Sequence, residues 1–223
     1  MTELAAQLTI FGFARMRELA APHIDAITDA FNQAAGLGPG ARPETRVTRF
    51  DILDAVPGLA AVADAREVLG LRETFFGGPS HVVATDANLL VGDSFWHSDG
   101  FYSTPFLRFV LYLEPLTAGN GALRFLPGSH KEGNGWLGDP TRHVIKHDED
   151  LGRDAADVPG VVCESRPGDV IVFDTNILHA ACGGGFRRQL AFNVVGNPAT
   201  DAERRDTSRY FLNRYVSGSV RLA

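Results

Sequence analysis

Lysine is almost missing from this chain: among its 21 basic residues only Lys131 and Lys146 are not arginine. A buried cation is therefore expected to be arginine, whose planar fork grips a carboxylate at two points. Cysteine is as scarce. Cys163 and Cys182 form no CxxC pair, imply no disulfide framework, and read as small core hydrophobes. No apolar run approaches the ~18 residues of a membrane-spanning helix. The opening MTELAAQLTI lacks the basic-then-apolar pattern of a leader. Excess positive charge is missing too, since 21 Lys and Arg against 27 Asp and Glu leave a net charge of −6. These absences predict a soluble, cytoplasmic chain with neither membrane nor nucleic acid as partner, because nucleic acid needs a clustered positive surface.

What is present is an ordinary globular composition over 223 residues, with 44% hydrophobic and 22% charged residues. That length suits a single domain, 1–223, able to bury about 70% of its unfolded surface. A metal is not needed merely to fold such a chain, so any metal is expected to be functional. The oligomeric state is left open.

The first part, about 1–75, reads as helical. Residues 8–16 are expected to form a short strand around Gly12. Pro22 suits the first turn of a helix with apolar Ile24, Ile27 and Phe31, closed by Gly36. Pro57 opens a second helix, expected to run to about Val68 and stop at Gly70. From about 80 to 196 the pattern changes to short Val-, Leu-, Phe- and Tyr-rich runs separated by turns such as Pro167-Gly168-Asp169. That spacing predicts a sandwich or jelly roll, mainly β with flanking helices. Residues 131–160 read as one long polar loop, and 201–216 as a C-terminal helix.

Within this frame Trp96-His97-Ser98-Asp99-Gly100 carries the strongest local signal. If His97 ends a strand, His97 and Asp99 are two apart and project from one face. They then supply two thirds of a 2-His-1-carboxylate facial triad, or else a plain hydrogen-bonded His–Asp pair. His179 follows an apolar strand and a turn and would ordinarily be a core histidine. Arg187 lies beyond the Gly183–Gly185 turn, and an arginine facing inward is costly unless a carboxylate meets it. A hairpin bearing both would hold a metal and a dicarboxylate together. Arg188, the rival, would face the other way, towards solvent.

Gly36, Gly38 and Gly40 do not open a helix after a strand, so they form no dinucleotide fingerprint, and no G-x-S-x-G elbow is present. His143 and His147 have i, i+4 spacing but lie in a charged segment. Arg42, Arg46 and Arg49 read as a surface cluster.

These residues, in this order, resemble the phytanoyl-CoA dioxygenase (PhyH) family of Fe(II)- and 2-oxoglutarate-dependent oxygenases. The resemblance rests on Trp96 to Gly100, on Asn120-Gly121-Ala122-Leu123-Arg124-Phe125-Leu126-Pro127-Gly128-Ser129-His130, and on His179 and Arg187, and it spans about Gly12 to Val195. It implies a double-stranded β-helix with His97, Asp99 and His179 as catalytic iron ligands and Arg187 on the distal carboxylate of 2-oxoglutarate. Asn88 is a further candidate for the cosubstrate, or else a turn residue.

Dioxygen would be consumed, with succinate and carbon dioxide as co-products, and a C–H bond of a small organic substrate would be hydroxylated. Desaturation, cyclisation and epimerisation begin at the same site, and a non-catalytic cupin-like binding module is the alternative of another class. Related halogenases carry Gly or Ala where this chain has Asp99, so hydroxylation is favoured over halogenation. The lysine that some members place near the cosubstrate has no counterpart, which disfavours an acyl-CoA substrate. Trp96, Tyr102 and Arg108 are candidates for substrate contact. For the two aromatics the competing reading is ordinary core, and for Arg108 it is pairing with a core acid. His130 is expected to shape its loop.

Overall fold

Thr2 caps the first helix, its Oγ1 accepting the Ala5 amide at 3.3 Å. The computed structural model describes residues 2–36, 46–100, 104–131, 145–146 and 155–214. Helix α1 (Glu3–Phe11) ends at Gly12, which adopts the left-handed conformation at φ 87° and returns its amide to Leu8. Strand β1 (Phe13–Met16) follows. The strand expected over 8–16 is therefore a helix end and a strand start, divided at the glycine.

Helix α2 (Ile24–Ala35) runs from a short turn containing Pro22 to Gly36, as its apolar spacing predicts, with Ile27 and Phe31 buried. The second expected helix is two, α3 (Pro57–Ala63) and α4 (Arg66–Phe76). Extended backbone at Ala65 breaks the helical run, while Gly70 continues α4 and Gly77, not Gly70, ends it. A mid-helix glycine weakens a helix by only about 1 kcal/mol and does not stop one. At the other end α5 (Asp201–Arg214) is capped by Glu203, whose carboxylate accepts the Ala199 and Thr200 amides. None of the described helices is long and apolar enough to cross a membrane.

The expected jelly roll is present as antiparallel sheets. The remaining strands are β2 (Val47–Phe50), β3 (Ser80–Leu90), β4 (Ser94–His97), β5 (Phe106–Tyr112), β6 (Leu123–Phe125) and β7 (Ile145–Lys146). They are followed by β8 (Val161–Cys163), β9 (Val170–Asp174), β10 (His179–Ala181) and β11 (Arg187–Gly196). One sheet has the order β1-β9-β5-β11-β3-β2 and the other β7-β4-β10-β6-β8. Strand β2 gave no sequence signal, and β7 falls inside the segment expected to be all loop.

Alternation along β5, β9 and β11 explains their nearly continuous apolar text, because both faces are covered. Leu107, Phe109, Leu111, Leu190 and Phe192 join the helices in one core. Val110, Tyr112, Ile171, Phe173 and Ala191 face the second sheet, where Leu123 and Phe125 meet them. Cys163 and Cys182 are buried free thiols, as expected.

The hairpin imagined for His179 and Arg187 does not form. β10 pairs with β4 and β6, whereas β11 pairs with β3 and β5. The chain crosses between sheets at Gly183–Gly185, so the two residues approach the interior from opposite walls.

Candidate active site

Two strand ends and one bend build the centre of the site. His97 is the last residue of β4 and His179 the first of β10, and the two are register partners. Asp99 lies in the bend after β4, its amide held by the Thr175 carbonyl at 2.9 Å. Asp99 Oδ1 stands 3.8 Å from His97 Nε2 and 3.9 Å from His179 Nε2. Ligand atoms of all three residues lie within 4.8 Å of one another. These separations exceed hydrogen-bond length, so the plain His–Asp hydrogen bond is not the arrangement adopted.

The imidazoles are oriented from behind. His97 Nδ1 lies 2.8 Å from the Phe95 carbonyl and His179 Nδ1 3.0 Å from that of Ile177. A carbonyl only accepts, so in each neutral ring Nδ1 carries the hydrogen and the Nε2 lone pair faces Asp99. Burial, then the neighbouring His97, push His179 down to about 4, so it is an uncharged donor at neutral pH. Two neutral nitrogens and one carboxylate oxygen on adjacent directions fit a ferrous-type divalent ion.

A cavity of about 440 Å³ adjoins these groups, bordered by Arg187, Gln189, Asn88, Tyr112 and Arg108 from the six-stranded wall. Arg187 is buried, and its Nη1 donates to the carbonyls of Gly92 and Gly185 at 2.9 and 3.0 Å. Its Nε finds no hydrogen-bond partner among the described residues. Arg187 borders the cavity, and a buried guanidinium there suits an anionic ligand. Gly121 makes the room: at φ 104°, a Cβ there would stand 2.9 Å from Arg187 Nη1. The glycine of the Asn120-Gly121-Ala122 segment thus serves the arginine of a distant strand.

Arg188 faces the opposite side, as its parity predicts. It meets Glu114 at 2.6 Å and Asn32 at 2.7 Å, so it ties β11 to α2 and is not simply solvent-facing.

Asn88 sits within β3, two residues before its end at Leu90, and not in a turn. Its amide nitrogen donates to Asp86 and to Gln189, and its oxygen accepts from Thr48 at 2.7 Å. Gln189 in turn donates to Tyr112 Oη at 2.7 Å, and burial pushes that phenol up to about 12.

Arg108 does face inward with Val110 and Tyr112, and it pairs with a core acid. It grips Asp86 at 2.7 and 2.9 Å. Burial opposes its charge, but Asp86 and then Asp99 outweigh that and raise it above the ordinary arginine value. Asp86, Gln189 and Asn193 were not singled out as site residues from the sequence, because their meeting with Arg108 depends on strand register.

Trp96 is a correction. Since His97 points inward, Trp96 points outward, where it is fully buried among Leu126, Val158, Leu178 and Ala180 and does not border the cavity. Tyr102, Arg42, His143 and His147 lie outside the described residues. Arg46 borders the cavity, while Arg49 is exposed and donates to the Thr48 carbonyl. His130 packs against Gly12, with Nε2 3.3 Å from the Thr9 carbonyl, which fits its structural reading.

Several solved structures share this architecture. The epimerase SnoN, crystallised with Fe3+, alpha ketoglutarate and nogalamycin RO, matches with TM-score 0.67 at 17% identity over 87% of this chain and 83% of its own. HygX from Streptomyces hygroscopicus, with nickel and 2-oxoglutarate bound, gives 0.68 at 16% over 88% and 87%. EctD from S. alaskensis, with 2-oxoglutarate and 5-hydroxyectoine, gives 0.65 at 22% over 89% and 77%. At these identities the likeness shows the fold. No curated protein matches the chain by sequence. The family model of phytanoyl-CoA dioxygenase (PhyH) matches residues 13–188, and the chain belongs to that family.

Proposed function

We propose that the chain is an Fe(II)- and 2-oxoglutarate-dependent oxygenase, acting as one domain, that hydroxylates a C–H bond of a small organic molecule. The observation carrying this reading is the convergence of His97 Nε2, His179 Nε2 and Asp99 Oδ1 beside the buried Arg187. Bound iron supplies dioxygen activation coupled to the decarboxylation of 2-oxoglutarate to succinate. His97, Asp99 and His179 would hold the ion, a three-residue set that would leave positions for cosubstrate and dioxygen. Arg187 receives the distal carboxylate of 2-oxoglutarate, which fixes the cosubstrate's direction in the cavity. Asn88, with its amide groups engaged by neighbours, borders the same volume. The Arg108–Asp86 pair contributes no net charge to the cavity wall.

Relatives of this fold include the epimerase SnoN and the carbocyclase SnoK. They favour, as a second reading, the same centre ending in inversion or ring closure rather than hydroxylation. The test is succinate release from 2-oxoglutarate with Fe(II), dioxygen and a panel of candidate substrates, followed by product mass. Gain of one oxygen supports hydroxylation, an unchanged mass supports epimerisation, and loss of two hydrogens supports ring closure or desaturation. A non-catalytic binding module would release no succinate under any condition.

A further inference from the structure

Two backbone carbonyls hold the Arg187 guanidinium. Of its five N–H groups, Nη1 carries two. These go to Gly92 at 2.9 Å and to Gly185 at 3.0 Å. Nε has no hydrogen-bond partner among the described residues. Nε and Nη2 are then the donors left for a carboxylate, which a guanidinium meets with two parallel bonds.

The two carbonyls lie on separate connections. Gly92 belongs to the one between β3 and β4, and Gly185 to the crossing between β10 and β11. That crossing contains three successive glycines, the backbone that loses most conformational freedom when it is ordered. It rests on the connection between β5 and β6. A Cβ on Gly183 would stand 2.6 Å from the Gly119 carbonyl, and one on Gly185 would stand 2.5 Å from the Asn120 carbonyl oxygen. A side chain joins the crossing to the Gly92 connection. Asp93, the residue after Gly92, accepts the Gly184 amide through Oδ1, and Gly184 directly precedes Gly185. One carboxylate thus ties together the two carbonyls that share Nη1.

We propose that Asp93 is a positioning residue for Arg187: it keeps the Gly92 and Gly185 carbonyls at the spacing Nη1 needs, so that Nε and Nη2 stand ready for the distal carboxylate of 2-oxoglutarate. The inference rests on the reading that Arg187 receives that carboxylate. Asp93 is exposed and borders the same cavity. By charge alone it would repel the cosubstrate, so its charge and its bond to Gly184 predict opposite effects on binding.

Calorimetric titration of 2-oxoglutarate into the full chain loaded with Mn(II), without dioxygen, tests it. Asp93→Ala loses the tie and is expected to weaken cosubstrate binding about 5-fold, the order of one hydrogen bond. Asp93→Asn keeps an oxygen that can accept the Gly184 amide, and is expected to bind as the wild type does or more tightly. Titration with Mn(II) alone should give the same affinity for all three proteins. In an Arg187→Ala background nothing is left to position, so Asp93→Ala should add no further loss.

A merely structural tie would lower the melting temperature of Asp93→Ala and leave the cosubstrate affinity of the folded protein unchanged. That result overturns the proposal while the role of Arg187 stands. So does an equal change in Asp93→Ala and Asp93→Asn, in either direction, or a full loss from Asp93→Ala without Arg187. If Arg187→Ala binds 2-oxoglutarate as well as the wild type, or the wild type binds none, the cosubstrate reading fails and this inference with it.

Discussion

His97 and His179 face each other as register partners across the β4–β10 pair, with ring centroids 4.3 Å apart. A one-residue slip of either strand would send its imidazole to the far side of the sheet. Pairing of the two strands therefore sets how the two imidazoles converge, and Asp99 joins them from a bend after β4. Asp99→Ala is accordingly expected to abolish Fe(II)-dependent succinate release and leave the far-ultraviolet spectrum unchanged. Retained turnover would remove Asp99 from the ligand set.

Arg187 and Arg188 are neighbours with opposite duties. Arg187→Ala should raise the 2-oxoglutarate requirement roughly 30-fold or more, since deleting one partner of a buried charge pair costs about 2–5 kcal/mol. Arg188→Ala loses the partly buried bridge to Glu114 and the bond to Asn32, so it should lower stability by about 1–2 kcal/mol and leave the cosubstrate requirement alone. Cosubstrate titrations and thermal melts of both variants decide it; the reverse ranking contradicts the assignment.

Gly121 offers a test of the same arginine without touching its charge. In Gly121→Ala the new methyl would stand 2.9 Å from Arg187 Nη1, on backbone at φ 104° that disfavours a side chain. Apparent affinity for 2-oxoglutarate should fall while Mn(II) affinity holds. Equal loss of both would indicate general damage to the site instead.

Asp174 predicts a pH dependence of stability. Burial raises its carboxyl to about 7, against a partial offset from the Asn176 amide at 2.8 Å. In the unfolded chain it ionises near 4. Across that window the folded protein holds a proton that the unfolded chain has released, so this group's contribution falls as pH rises from about 4 to about 7. Asp174→Asn should be more stable than the wild type by roughly 1–4 kcal/mol near pH 8, with the gain shrinking towards pH 4. Denaturant midpoints at both ends of that range measure it. A difference independent of pH would show that Asp174 titrates normally.

The three converging residues were legible in the sequence because local signals there coincide with the motifs of the PhyH resemblance. His-x-Asp at a strand end, a histidine after an apolar strand, and the parity separating Arg187 from Arg188 each need only a few residues of context. Trp96 was misread for want of one further step, since parity that turns His97 inward must turn Trp96 outward. The supposed hairpin failed for a different reason: a short glycine turn can close a hairpin or carry the chain to another sheet, and only pairing decides. Asp86, Arg108, Gln189 and Asn193 meet across strands far apart in the chain, so their network was invisible without register. The opening helix was readable from Thr2 and Gly12, yet the apolar residues before Gly12 suited a strand equally well.

Anaerobic crystals grown with Mn(II) and 2-oxoglutarate test the central claim most directly. The account predicts one ion bonded to His97 Nε2, His179 Nε2 and a single Asp99 oxygen at about 2.0–2.3 Å, with the distal carboxylate of 2-oxoglutarate on Arg187. An ion bound elsewhere, or one that leaves His179 unligated, would contradict it.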